Sequence, residues 1–186
     1  MMDTSISLSA VGAQMRRTLD YMLKKDSADN LFANTNDGLW QALYINWICA
    51  ALLGLFPGAI PNWQGYGLFV LTSITSSLLY ALLVYRIMQR MDLESVFLRF
   101  MVPYLWLNIM QVAAFAVVFL GAQATGIFAF QLLYIPLAIW LLYWLIKVAK
   151  DQTGLGTLAA VGFLAGRVLV DIFIGWAAGS GFAMPG

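Results

Sequence analysis

The chain has 186 residues, of which 62% are hydrophobic and only 10% charged, against roughly 25% charged in an ordinary soluble domain. That imbalance excludes a soluble core as the destination of most side chains and points to helices solvated by lipid. A net charge of +1 excludes a nucleic-acid partner, which needs a concentrated basic face. With no His and one Cys, Cys49, the chain has no His/Cys zinc site, no Cys–His nucleophile pair and no intrachain disulfide.

The first residues, MMDTSISLSAVGAQMRR, have no apolar core of the kind a cleavable signal needs. The first membrane span is therefore expected to act as its own insertion signal. In VGAQMRRTLDYMLKK, Val11, Met15, Leu19 and Met22 share one helical face, while Arg16, Arg17, Asp20, Lys24 and Lys25 lie mostly opposite. Two placements fit this amphipathic helix. It lies in the interface plane with Arg16, Arg17, Lys24 and Lys25 on anionic lipid, or it docks on the ends of the helix bundle. The polar connector DSADNLFANTND follows, rich in residues that favour turns and helix starts.

Five stretches are long and apolar enough to cross about 30 Å of hydrocarbon: residues 39–60, 66–88, 100–121, 127–148 and 155–178. The breaks FPGAIPNWQG, GAQATG and KDQTGLG carry turn chemistry. All ten Lys and Arg residues except Arg167 fall on one side of such a threading. By the positive-inside rule that side is cytoplasmic, so the N-terminus is in and the C-terminus out. Trp40, Tyr44, Trp63, Tyr66, Tyr143, Trp144 and Trp176 sit near span ends, where amphipathic rings prefer to lie. Pro136 is expected to kink the fourth span.

The fifth span carries the feature that most needs explaining. Arg167 lies about 18 Å from the start of its span, near mid-membrane, and Asp171 follows one turn later. A lone charge there costs about 2.5–3.5 kcal/mol. The i, i+4 spacing lets the two neutralise each other. At similar depth stand Asn108 and Gln111 on span three, Ser76 on span two and Gln131 on span four, with Ser73, Ser77 and Asn46 nearby. Matching depths predicts a buried network in which Arg167 donates to Gln111 or Ser76 and Asp171 accepts from Gln131. On the same span Ala159, Gly162 and Gly166 are small enough for another helix to approach, which would turn the charged stripe toward the bundle interior.

Such a network serves either a solute, ion or proton path or the fixing of helix register, and a partner protein could also satisfy the charges. Catalysis lacks material: Asp92 and Glu94 are a close acidic pair, but they sit among Arg86, Arg90 and Arg99 in a connection, and no nucleophile–base set or phosphate loop is present. No cofactor or metal is expected. Five spans and the entry segment NDGLWQALYINW, with Asp37, Gly38, Leu39 and Trp40, resemble the Yip1-like proteins and small bacterial inner-membrane proteins of that plan. The resemblance implies an accessory or scaffold role in membrane organisation.

The expected architecture is an all-α polytopic bundle of five transmembrane helices. It comprises a cytoplasmic segment (1–37), a transmembrane domain (38–179) and a short external tail (180–186). The bilayer and a homo-oligomer or larger membrane complex are the expected partners. Transport is the alternative role, although the chain shows no internal repeat for alternating access.

Overall fold

The computed structural model describes residues 8–23, 32, 34–55, 63–125 and 132–182. Six α-helices make up nearly all of them: α1 (Leu8–Met22), α2 (Asn36–Gly54), α3 (Trp63–Arg90), α4 (Phe97–Thr125), α5 (Tyr134–Thr153) and α6 (Thr157–Phe182), with a 3₁₀ turn at Glu94–Val96 before α4. No strand occurs among the described residues.

Local chemistry sets several helix ends. Thr35 caps α2 by accepting the Gly38 N–H at 3.1 Å, satisfying one of the donors a helix start leaves free. Gly154 ends α5 in the left-handed region, at φ 68°, and returns its N–H to the Lys150 carbonyl at 3.0 Å. Glycine takes this conformation without a Cβ penalty, which lets α6 begin only a few residues later. Pro136, expected to kink a span, stands in the first turn of α5. There its missing N–H removes no intrahelical bond. The proline inside a helix is Pro103 of α4.

Among the described residues, three helices are long and apolar enough to cross a membrane, over Trp63–Arg90, Glu94–Thr125 and Thr157–Gly179. The other two expected spans correspond to shorter described helices. α2 has 19 residues and includes Asp37, Gln41 and Asn46. α5 has 20 and bears Lys147, Lys150 and Asp151 in its last two turns. Residues 56–60 and 127–131 of those expected spans lie outside the described residues.

α2 to α6 close into a ring in the spatial order α2, α3, α6, α5, α4, and α3 meets α4 more narrowly. The rings of Phe100 on α4 and Phe163 on α6 are 5.3 Å apart, which puts the starts of α4 and α6 at one end. Arg86, Arg90, Arg99, Lys147 and Lys150 gather around the connections at that end. α1 is docked, packing against α4 with Gln14, Thr18, Tyr21 and Met22 buried while Arg16 and Arg17 stay exposed. Of its expected lipid-facing lysines, Lys24 and Lys25 lie outside the described residues.

Burial is uneven along the bundle. On α4 the residues from Phe100 to Leu107 and Ile109 are buried, and none is from Met110 onward. On α3 burial begins at Ser76 and continues through Ser77, Tyr80, Val84 and Met88. On α5 it begins at Leu141, and on α6 no residue from 171 to 179 is buried. The half next to the basic end is thus a solid core of large side chains, Trp106, Tyr80, Phe100 and Met88 among them. In the other half only Gly54, held under Tyr66 and Phe69, is buried on α2.

Candidate functional site: an ion pair and its interhelical polar layer

Arg167 and Asp171 project from α6 one turn apart, and Nε of Arg167 donates to Oδ2 of Asp171 at 3.0 Å. The other carboxylate oxygen, Oδ1, accepts the hydroxyl of Ser76 on α3. The guanidinium carbon also stands 5.7 Å from the ring centre of Tyr80 on α3, within reach of the attraction between a cation and an aromatic face. Tyr80 is pinned in turn: its hydroxyl donates to the Phe163 carbonyl of α6 at 3.1 Å, and its ring lies 5.3 Å from that of Tyr104 on α4. Three helices therefore position one charge pair.

A second chain of polar contacts runs beside it. Asn108 on α4 donates through Nδ2 to Oδ1 of Asn46 on α2 at 2.9 Å. Nδ2 of Asn46 donates to the Ser77 hydroxyl at 3.4 Å, and Ser77 donates to its own helix at the Ser73 carbonyl, 2.7 Å away. Because Ser76 and Ser77 are adjacent on α3, the two chains form one layer linking α2, α3, α4 and α6. It lies where the solid half of the bundle gives way to the looser half.

The structure brings together Arg167, Asp171 and Ser76, and separately joins Asn108 to Asn46. The pairing differs from the expectation, because Ser76 gives its proton to Asp171 rather than accepting from Arg167. Gln111 lies half-buried on α4, with no bond from Arg167 reaching it. Gln131 lies outside the described residues. Tyr80 completes the site without having been expected. Its signal was available, since Ser73, Ser76, Ser77 and Tyr80 share one face of α3 by i, i+3, i+4 and i+7 spacing.

The two sides of the pair differ in exposure. The Arg167 side chain is 22% exposed and that of Asp171 48%. The small-residue stripe is not what packs α6 inside the chain. Gly162 is exposed with nothing within 4 Å of where a Cβ would stand, Gly166 meets only Leu83 at 3.7 Å, and Ala159 is half-buried. The contact face is instead Ala160, Phe163, Leu164 and Val170, with Arg167 among them. Close approach through glycines is unnecessary there, because Tyr80 and Phe100 fill the space.

Among the described residues, no group of three or more His, Cys, Asp or Glu side chains is placed to hold a metal ion. No family model, no curated protein and no solved structure matches the chain.

Proposed function

We propose that the chain is a five-span integral protein of the bacterial inner membrane, with its basic end and N-terminus cytoplasmic and its C-terminus outside, and that it serves as a non-enzymatic accessory or scaffold. It assembles with itself or with a larger membrane complex, in keeping with the Yip1-like resemblance. One observation carries this reading: Ser76 with Asp171, Asn108 with Asn46 and Asn46 with Ser77 bond between helices of the same chain, above a core packed solid with aromatic rings. A path through the bundle would require those contacts to break together. Buried hydrogen bonds that join helices fix register and orientation instead.

Transport of a small solute or ion through Arg167 and Asp171 is the second reading, favoured by the half-exposed carboxylate of Asp171. The deciding experiment is purification of the tagged full chain from membranes in mild detergent after cross-linking, with flux assays on the same protein in proteoliposomes. The scaffold reading expects a stoichiometric partner or a defined oligomer and no flux above empty vesicles. A monomer that carries ions or solutes overturns it.

A further inference from the structure

We infer that water enters the bundle from the end opposite the basic residues and stops at Asp171, making the Arg167–Asp171 pair the floor of a blind aqueous vestibule. The inference rests on the membrane reading above but not on the identity of any partner.

Three observations lead there. The first is the burial gradient: among the residues whose burial is described, α4 has none buried beyond Ile109, α6 none from 171 to 179 and α3 none before Ser76. On one side of the polar layer the helices touch at isolated points, Gly54 against Tyr66 and Phe115 against Tyr134, while on the other they share a continuous core. The second is where Asp171 stands. Arg167, Asp171, Ile174 and Ala178 follow one another at i, i+4, i+7 and i+11, a single stripe of α6. Ile174 and Ala178 are half-buried, whereas Leu169, Ile172 and Trp176 on the outer arc are 65%, 62% and 69% exposed. The exposure of Asp171 thus belongs to the stripe that continues the bundle interior, not to the arc that meets lipid.

The third is chemical. A half-exposed carboxylate facing hydrocarbon is unfavourable unless water or a partner solvates it. The surroundings of Asp171 suit water, with Ser73 half-buried one turn before Ser76, its hydroxyl oxygen able to accept while it donates to the Phe69 carbonyl, and Gln111 half-buried one turn beyond Asn108. Beneath them the rings of Tyr80, Tyr104, Phe100 and Phe163 pack 5.3–5.5 Å apart and fill the way toward the basic end, with the Tyr80 hydroxyl tied to the Phe163 carbonyl.

The test uses the full chain in proteoliposomes, with Cys49→Ser as background and single cysteines introduced as Gln111→Cys, Ile174→Cys and Ala178→Cys on the interior stripe and as Leu169→Cys and Ile172→Cys on the outer arc. A membrane-impermeant, cationic thiosulfonate reagent is added from each side in turn. A thiol in hydrocarbon stays protonated and unreactive, so the three interior positions should react at least about tenfold faster than the two outer ones, and only from the side opposite the basic residues. Interior positions as inert as the outer ones would overturn the vestibule while leaving the scaffold reading intact. Reaction from the basic side would show a path through the core, overturning the blind floor and the scaffold reading together.

Discussion

Ser76 on α3 donates its hydroxyl proton to Oδ1 of Asp171 on α6, while Arg167 holds Oδ2 of the same carboxylate at 3.0 Å. One side chain thus receives both a charge and a hydrogen bond from two different helices. This makes α3 and α6 dependent on each other where the packed half of the bundle ends.

Removing either charge should therefore be worse than removing both. Arg167→Ala leaves the carboxylate with Ser76 alone, and Asp171→Ala leaves a guanidinium with only the Tyr80 ring beside it. Because Asp171 is 48% exposed, each single loss should fall below the full buried-pair cost, at about 1–3 kcal/mol. The Arg167→Ala/Asp171→Ala double variant should recover most of that loss. Unfolding midpoints in detergent for the four proteins check this; a double variant that loses the sum of the singles would show two independent residues.

The amide pair should show a smaller coupling. Asn46 and Asn108 join α2 to α4 at 2.9 Å, and hydrogen bonds between helices in a membrane contribute about 0.6 kcal/mol on average and up to about 1.7. A cycle of Asn46→Ala, Asn108→Ala and the double variant should return a coupling in that range. A second effect is specific to this site. Asn46→Ala also strips the Ser77 hydroxyl of its donor, so it should cost slightly more than Asn108→Ala. The reverse order would place the main contact elsewhere.

The helices and the Arg167–Asp171 spacing were legible because they follow from local periodicity. Relative height along the bundle, at about 1.5 Å per residue from a helix end, was legible for Ser76, which reaches Asp171 on α6. Azimuth was not. Ser76 and Gln111 were placed at the height of Arg167, but which way each points depends on how α3 and α4 rotate against α6. That is why Ser76 meets Asp171 and Gln111 meets neither charge. The burial gradient left no trace in composition either, since a lipid-facing leucine and a core leucine are the same chemistry. The small-residue stripe misled for a related reason: glycines permit close approach without requiring it, and Gly162 stays open.

Gly54 should tolerate no side chain. A Cβ there would stand 3.0 Å from Cδ2 and Cε2 of Tyr66 and 3.1 Å from Cδ1 of Phe69. The Tyr66 ring cannot easily retreat, because its hydroxyl is bonded to the Ala51 carbonyl at 3.2 Å. Gly54→Ala should therefore cost about 1–3 kcal/mol, the range for overfilling a packed contact. Combining it with Tyr66→Ala should remove the clash and return part of the loss. If Gly54→Ala unfolds at the wild-type midpoint in detergent, α2 and α3 are not clamped here.

Tyr21 ties α1 to the bundle, and its ionisation should set where that tie fails. Its ring packs edge-on to Trp144 at 5.3 Å and Phe32 at 6.3 Å, and its hydroxyl lies 3.3 Å from Oδ2 of Asp151. Burial and the nearby Asp151 carboxylate both raise its phenol above the ordinary value of about 10. A raised native pKa means that the docked state binds the proton more tightly than the released state. The stabilisation is then complete below about pH 10 and is lost as pH climbs from there toward the native value. In absorbance titrations, the difference between wild type and Tyr21→Phe should stay flat through neutral pH and develop only above about pH 10. Tyr21→Phe should itself weaken α1 docking by about 1 kcal/mol, read as faster protease cleavage within α1 at neutral pH. A Tyr21 that ionises at the ordinary phenol value of about 10 would mean that α1 is not held by this contact.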